Sequence, residues 1–178
     1  MVTLPPEIQE VLEKYKGQLP VPIVNIANDL QIEIYETNDL APGESGIIRK
    51  EDSKYYIYVK AGDLYTRKRF TIAHEIGHFI KHKAKLDSSK EFIDSSVQPT
   101  PNGNGTTLHR AITQELSDEE RRLEVEANEI AADLLMPSDE FIRVWKESDT
   151  MEEIANKFAV SISAATIRGE RLLKEFKI

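Results

Sequence analysis

Apolar positions recur along the chain at two periods, and the switches between them mark its elements. Residues 6 to 15 carry a short helical pattern. A second helix is predicted over residues 22 to 30, where Ile23, Ile26, Ala27 and Leu30 fall three and four apart and Pro22 sits near the first turn. The period then drops to two. Ile32 to Glu36 alternates apolar and polar, Gly46 to Lys50 is an apolar run after a Pro-Gly turn signal, and Lys54 to Lys60 is rich in strand formers. Three strands ahead of a long helix predict a small antiparallel sheet.

Helical spacing returns at Thr66, placed to cap a helix running to about His82, with Phe70, Ala73, Gly77 and Ile80 on one side. From about Ala84 to Leu116 the pattern fails. Within it, residues 95 to 107 are mostly Pro, Gly, Asn, Ser and Thr, a composition that buries little apolar surface and predicts a mobile loop. Ser117-Asp-Glu-Glu120 is a capping box, opening a helix through Leu123, Ala127, Ile130, Ala131 and Leu134 that Pro137 ends; another helix follows over Ser138 to Lys146. A second capping box, Thr150 to Glu153, starts a helix to Phe158; a turn at Val160-Ser161 leads into a last helix to about Phe176. The expected class is α+β, with a main domain over residues 1–148, interrupted by an irregular insertion at about 84–116. A small helix-turn-helix-like module over 149–178 is expected to pack on it.

Composition narrows the chemistry. At 178 residues one hydrophobic core is affordable, and with no cysteine there is neither a disulfide framework nor a thiolate metal site. A metal must rely on His, Asp and Glu. The start lacks a basic stretch followed by an apolar one, and no run approaches a membrane span, so the expected location is the cytoplasm. A formal net charge of -8 opposes general binding to phosphate backbones.

The predicted helix at Thr66 carries His74-Glu-Ile-Gly-His78, an H-E-x-x-H motif. Residues four apart lie one turn above each other, so both imidazoles can face one zinc ion while Glu75 holds the attacking water. His82 is excluded as third ligand, because the helix rises about 12 Å from His74 while each donor must lie about 2 Å from the metal. It reads as an exposed residue at the helix end. The longer three-His pattern is also absent, since its last position is Ala84. The best source is the next helix, where Glu124, Ala127, Asn128 and Ala131 share a face. Small alanines there allow close packing, Glu124 points inward, and Asn128 is placed to support a ligand. Glu126 and Glu129 point elsewhere, toward solvent and charge pairing. For the developing oxyanion, Tyr55, Tyr56, Tyr58, Tyr65 and His109 are all candidates.

Two segments, Arg69 to His82 and Glu124 to Pro137, resemble the signatures of the ImmA/IrrE family of zinc metallopeptidases, of the gluzincin kind. The likeness extends more loosely over nearly the whole chain, the long polar segment from about Lys85 to Leu116 being the departure. The resemblance implies a zincin-like peptidase fold, Zn2+ bound by His74, His78 and Glu124, and Glu75 as catalytic base. It also implies a substrate class: helix-turn-helix repressors, whose cleavage relieves repression of mobile elements or stress genes.

Two other readings compete. The chain can act on a repressor by binding, as a sensor or toxin-antitoxin component, without obligatory cleavage. Alternatively its last helices read DNA, although Lys157, Arg168, Arg171, Lys174 and Lys177 are nearly balanced there by Glu152, Glu153, Glu170 and Glu175.

Overall fold

A computed structural model describes residues 5–41, 43–88, 106–108 and 117–176. The elements are α1 (Pro6–Lys14), α2 (Ile23–Asp29), β1 (Ile32–Thr37), β2 (Gly46–Glu51), β3 (Lys54–Lys60), α3 (Tyr65–Ser88), β4 (Thr106–Leu108), α4 (Asp118–Leu135), α5 (Ser138–Lys146), α6 (Met151–Phe158) and α7 (Ile162–Phe176). The class is α+β, as the periodicities predict.

The sheet is mixed rather than antiparallel. Its order is β1-β3-β2-β4, with β1 parallel to β3 and the β2 pairings to β3 and β4 antiparallel. The reason is topological. The chain from Thr37 to Gly46 carries β2 past the neighbouring position, and the tight return at Asp52, whose φ is 55°, brings β3 back into the gap alongside β1. Along β3, Tyr55, Ile57 and Val59 turn inward and Tyr56 and Tyr58 outward, the period of two that the sequence shows. β4 is a short strand in a stretch expected to be irregular, and most of residues 89–116 lie outside the described residues.

The long helix α3 also departs from expectation. It begins at Tyr65, so Thr66 lies within the first turn instead of capping it, and it continues to Ser88, which leaves His82 six residues inside the helix rather than at its end. The expected single apolar side understates its burial, since every residue from Thr71 to Phe79 is buried. Ile72, Ile76 and Phe79 join the main core, where Phe79 meets Tyr55 edge to face, and Gly77 lies against α4. A helix packed between a sheet and a second helix has no solvent side to reveal its register.

The C-terminal elements follow their caps closely. Thr150 Oγ1 accepts from Glu153 N at 3.2 Å, while the Glu153 carboxylate reaches back to Asp149 N at 3.0 Å, one residue earlier than the usual reciprocal partner. Ala159 closes α6 in the left-handed region, and Ser161 Oγ accepts from Ala164 N at the start of α7. Ile154, Phe158, Ala165 and Leu172 belong to the same core cluster as α2, α3 and α4. No helix among the described residues is long and apolar enough to cross a membrane.

The approach of α3 to α4 is the tightest constraint. A Cβ placed on Gly77 would stand 2.8 Å from the Ala127 carbonyl oxygen and 3.0 Å from Ala127 Cα, both backbone atoms that a side-chain rotation cannot move. Gly77→Ala is therefore expected to push the helices apart and destabilise the fold by about 1–3 kcal/mol. Gly62→Ala, which meets nothing within 4 Å, is the control. Thermal unfolding of the two variants checks this.

Candidate metal centre

α3 places His74 and His78 one turn apart with their rings edge to face, centroids 4.5 Å apart and planes at 87°. Their Nε2 atoms are 3.0 Å from each other. α4 runs across them, held close by Gly77 and by Ala127 and Ala131, and delivers Glu124 from the opposite side. The carboxylate spans the pair: Oε2 lies 3.3 Å from His74 Nε2 and Oε1 3.3 Å from His78 Nε2.

This donor set suits a divalent cation. The ligand atoms of His74, His78 and Glu124 all lie within 4.8 Å of one another. Ligands in tetrahedral zinc sites, with bonds of about 2.0–2.1 Å, stand about 3.3 Å apart, close to the spacing found here. Two imidazoles and a carboxylate are also the donors zinc accepts where thiolates are absent. The arrangement can therefore hold a metal ion.

Electrostatics agree with the geometry. Burial alone would lower the pKa of His74, but the Glu124 hydrogen bond, the charges of Glu75 and Glu124 and the Asn128 contact outweigh it and raise the value above that of ordinary histidine. Glu124 behaves conversely. Burial pushes its carboxyl up, yet the bonds from His74 and His78 hold it well below the usual carboxylate range. Both shifts mean that the space between these groups favours positive charge.

The surroundings orient the donors. Asn128 Oδ1 lies 3.0 Å from His74 Nδ1, so a proton on Nδ1 donates to the amide oxygen and Nε2 is the nitrogen turned toward Glu124. Glu75, next to His74, is 1% exposed. Phe70, which packs against the core, also stacks along the His74 ring at 6.2 Å and 27°. Its position four residues before His74 was the available signal.

The remaining candidates separate from the centre. Glu126 pairs with Lys81 at 2.8 Å and Arg122 at 3.2 Å, and Glu129 lies 3.4 Å from Arg171, so both serve charge pairing as expected. Tyr55 is buried against Phe79 in the core. Tyr56 and Tyr58 stack on the outer sheet face, and Tyr65 is exposed with Arg69 over its ring. His109 and the side chain of His82 lie outside the described residues.

Similarity to known proteins converges on the same segments. A transcriptional regulator from Mycobacterium tuberculosis has a similar fold, with a TM-score of 0.56 at 15% identity. The match covers 89% of this chain but 44% of that regulator, so the chain spans less than half its length. No curated protein is a significant match. The model of the Peptidase_M78 family, the IrrE N-terminal-like domain, matches residues 27–99 and 102–169, a range holding His74, Glu75, His78, Glu124 and Asn128. The chain belongs to the IrrE N-terminal-like family.

Proposed function

We propose that the protein is a zinc-dependent metalloendopeptidase. The observation that carries this reading is the convergence of His74, His78 and Glu124 from two helices, with a buried Glu75 beside the first histidine. In this reading His74, His78 and Glu124 hold Zn2+, which supplies Lewis-acid polarisation of the scissile carbonyl and lowers the pKa of a water. Glu75 takes the proton from the attacking water and later passes it to the leaving amine. Asn128 keeps Nδ1 of His74 protonated, so that Nε2 remains a ligand. Residues 1–148 form the peptidase domain and 149–178 a small helical module packed on it.

The proposed substrate is a helix-turn-helix repressor. Three points support it: the family, a fold neighbour described as a transcriptional regulator, and a net charge of -8, which favours encounter with a basic DNA-binding protein. Direct DNA reading by the C-terminal helices is less well supported. Among the described residues Arg168 is engaged with Asp133, Arg171 with Glu129 and Glu175, and Lys157 with Ser148 Oγ.

Two results are expected. Glu124→Ala loses zinc by more than the 10- to 100-fold typical of outer-shell changes, whereas Glu126→Ala keeps it, as read by metal analysis of the purified proteins. The reverse outcome would move the ligand to Glu126. Glu75→Gln retains zinc and repressor binding but cleaves a helix-turn-helix repressor substrate about 10²- to 10⁴-fold more slowly, followed by mass spectrometry of the fragments. Full relief of repression by that variant in cells would show that binding, and not proteolysis, is the activity.

A further inference from the structure

Two buried arginines lie outside the donor set, and both join the C-terminal helices to the helices that carry it. Arg69, on α3, is 5% exposed. Its Nη2 donates to the carbonyls of Val21 at 2.8 Å and Phe158 at 3.4 Å, and its Nε donates to that of Ala159 at 3.2 Å. The last two are carbonyls at the C-terminal end of α6, which have no partner within their own helix. Arg168, on α7, is 2% exposed. It pairs with Asp133 at 2.6 Å and donates to the Met136 carbonyl and Ser138 Oγ, both at 3.0 Å, where α4 ends and α5 begins. One turn on, Arg171 reaches Glu129 of α4 at 3.4 Å.

Burying a guanidinium costs several kcal/mol in desolvation, which an apolar contact of equal volume would avoid. What the arginines supply instead is direction, because a rigid planar fork fixes where its acceptors lie. The acceptors define the task. Steps of about 100° per residue put His74 and His78 on the far side of α3 from Arg69, so Arg69 holds the back of the helix whose front bears both histidines. Arg168 holds the last turn of the helix that bears Glu124. α6 and α7 are joined by the short turn at Ala159 to Ser161, and therefore link the two grips as one piece.

We propose that the α6–α7 module is a bracket that sets the separation of α3 and α4 at the metal centre, with Arg69 and Arg168 as its positioning residues. This rests on the assignment of His74, His78 and Glu124 as ligands. Since the histidines and the carboxylate come from different helices, loosening either grip widens the site without touching a ligand. Because both grips act through one module, their effects are not independent.

The test uses Arg69→Lys, Arg168→Lys and the double variant, which keep charge and stem length but lose the fork. Ile8→Val is the control, a buried position on α1 that supplies no donor or acceptor to either grip. Zinc affinity is measured by competition with a chromophoric chelator, the visible absorption of the Co2+-loaded protein reports donor geometry, and thermal unfolding of the metal-free proteins reports global stability. Each single variant is expected to bind zinc about ten-fold more weakly with an altered Co2+ spectrum, and the double variant to lose less than the product of the two. Ile8→Val should bind as wild type even after correction for any fall in stability. Unchanged zinc affinity in both lysine variants, with wild-type binding intact, overturns the bracket alone. A wild-type protein that takes up no zinc overturns the ligand assignment and the bracket together.

Discussion

The centre depends on how closely two helices approach. Neither α3 nor α4 can enclose a cation by itself: α3 offers two nitrogens on one face, and α4 offers one carboxylate. They meet because Gly77 presents no side chain to the Ala127 backbone, and because Ala127 and Ala131 are small on the facing side. The 3.3 Å distances from the Glu124 carboxylate to both imidazole nitrogens follow from that contact. The surrounding architecture keeps it fixed, with the mixed sheet packed on one side of α3 and the C-terminal helices gripping both α3 and α4.

The same approach sets the local chemistry. A carboxylate facing two imidazole nitrogens in a partly buried site stabilises positive charge between them, which appears as a raised His74 and a depressed Glu124. A cation and a proton compete for that position, and the side chains around it determine which lone pairs are offered. Asn128 acts on the far nitrogen of His74, and Phe70 covers one face of its ring. The proposed catalytic base needs no separate element, because Glu75 is carried by the same turn of helix as the first histidine.

Much of this was legible in the sequence wherever one local rule governed. The capping boxes at Ser117 and Thr150, the stop at Pro137 and the strand alternation at Lys54 to Lys60 mark elements that the structure places at or within a residue of those limits. The pairing of Glu124 with the H-E-x-x-H helix was legible because a carboxylate among small residues on one helical face has few structural uses. What was lost required knowledge of partners. The parallel pairing of β1 with β3 depends on the path of the connecting chain, which periodicity does not encode. Burial all round α3 between Thr71 and Phe79 blurs its stripe, and the spacing that packs Phe70 against the core does not show that it also stacks on His74. The grips of Arg69 and Arg168 join residues 30 to 90 positions apart, and nothing local announces them.

In the proposed centre one cation is held by two histidines of α3 and one glutamate of α4. Crystals grown with stoichiometric zinc, with diffraction recorded on both sides of the zinc absorption edge, test it most directly. A single anomalous peak is expected about 2.0–2.2 Å from Nε2 of His74, Nε2 of His78 and a carboxylate oxygen of Glu124. A peak that excludes Glu124, or a fully loaded protein whose zinc lies elsewhere on the chain, would contradict it.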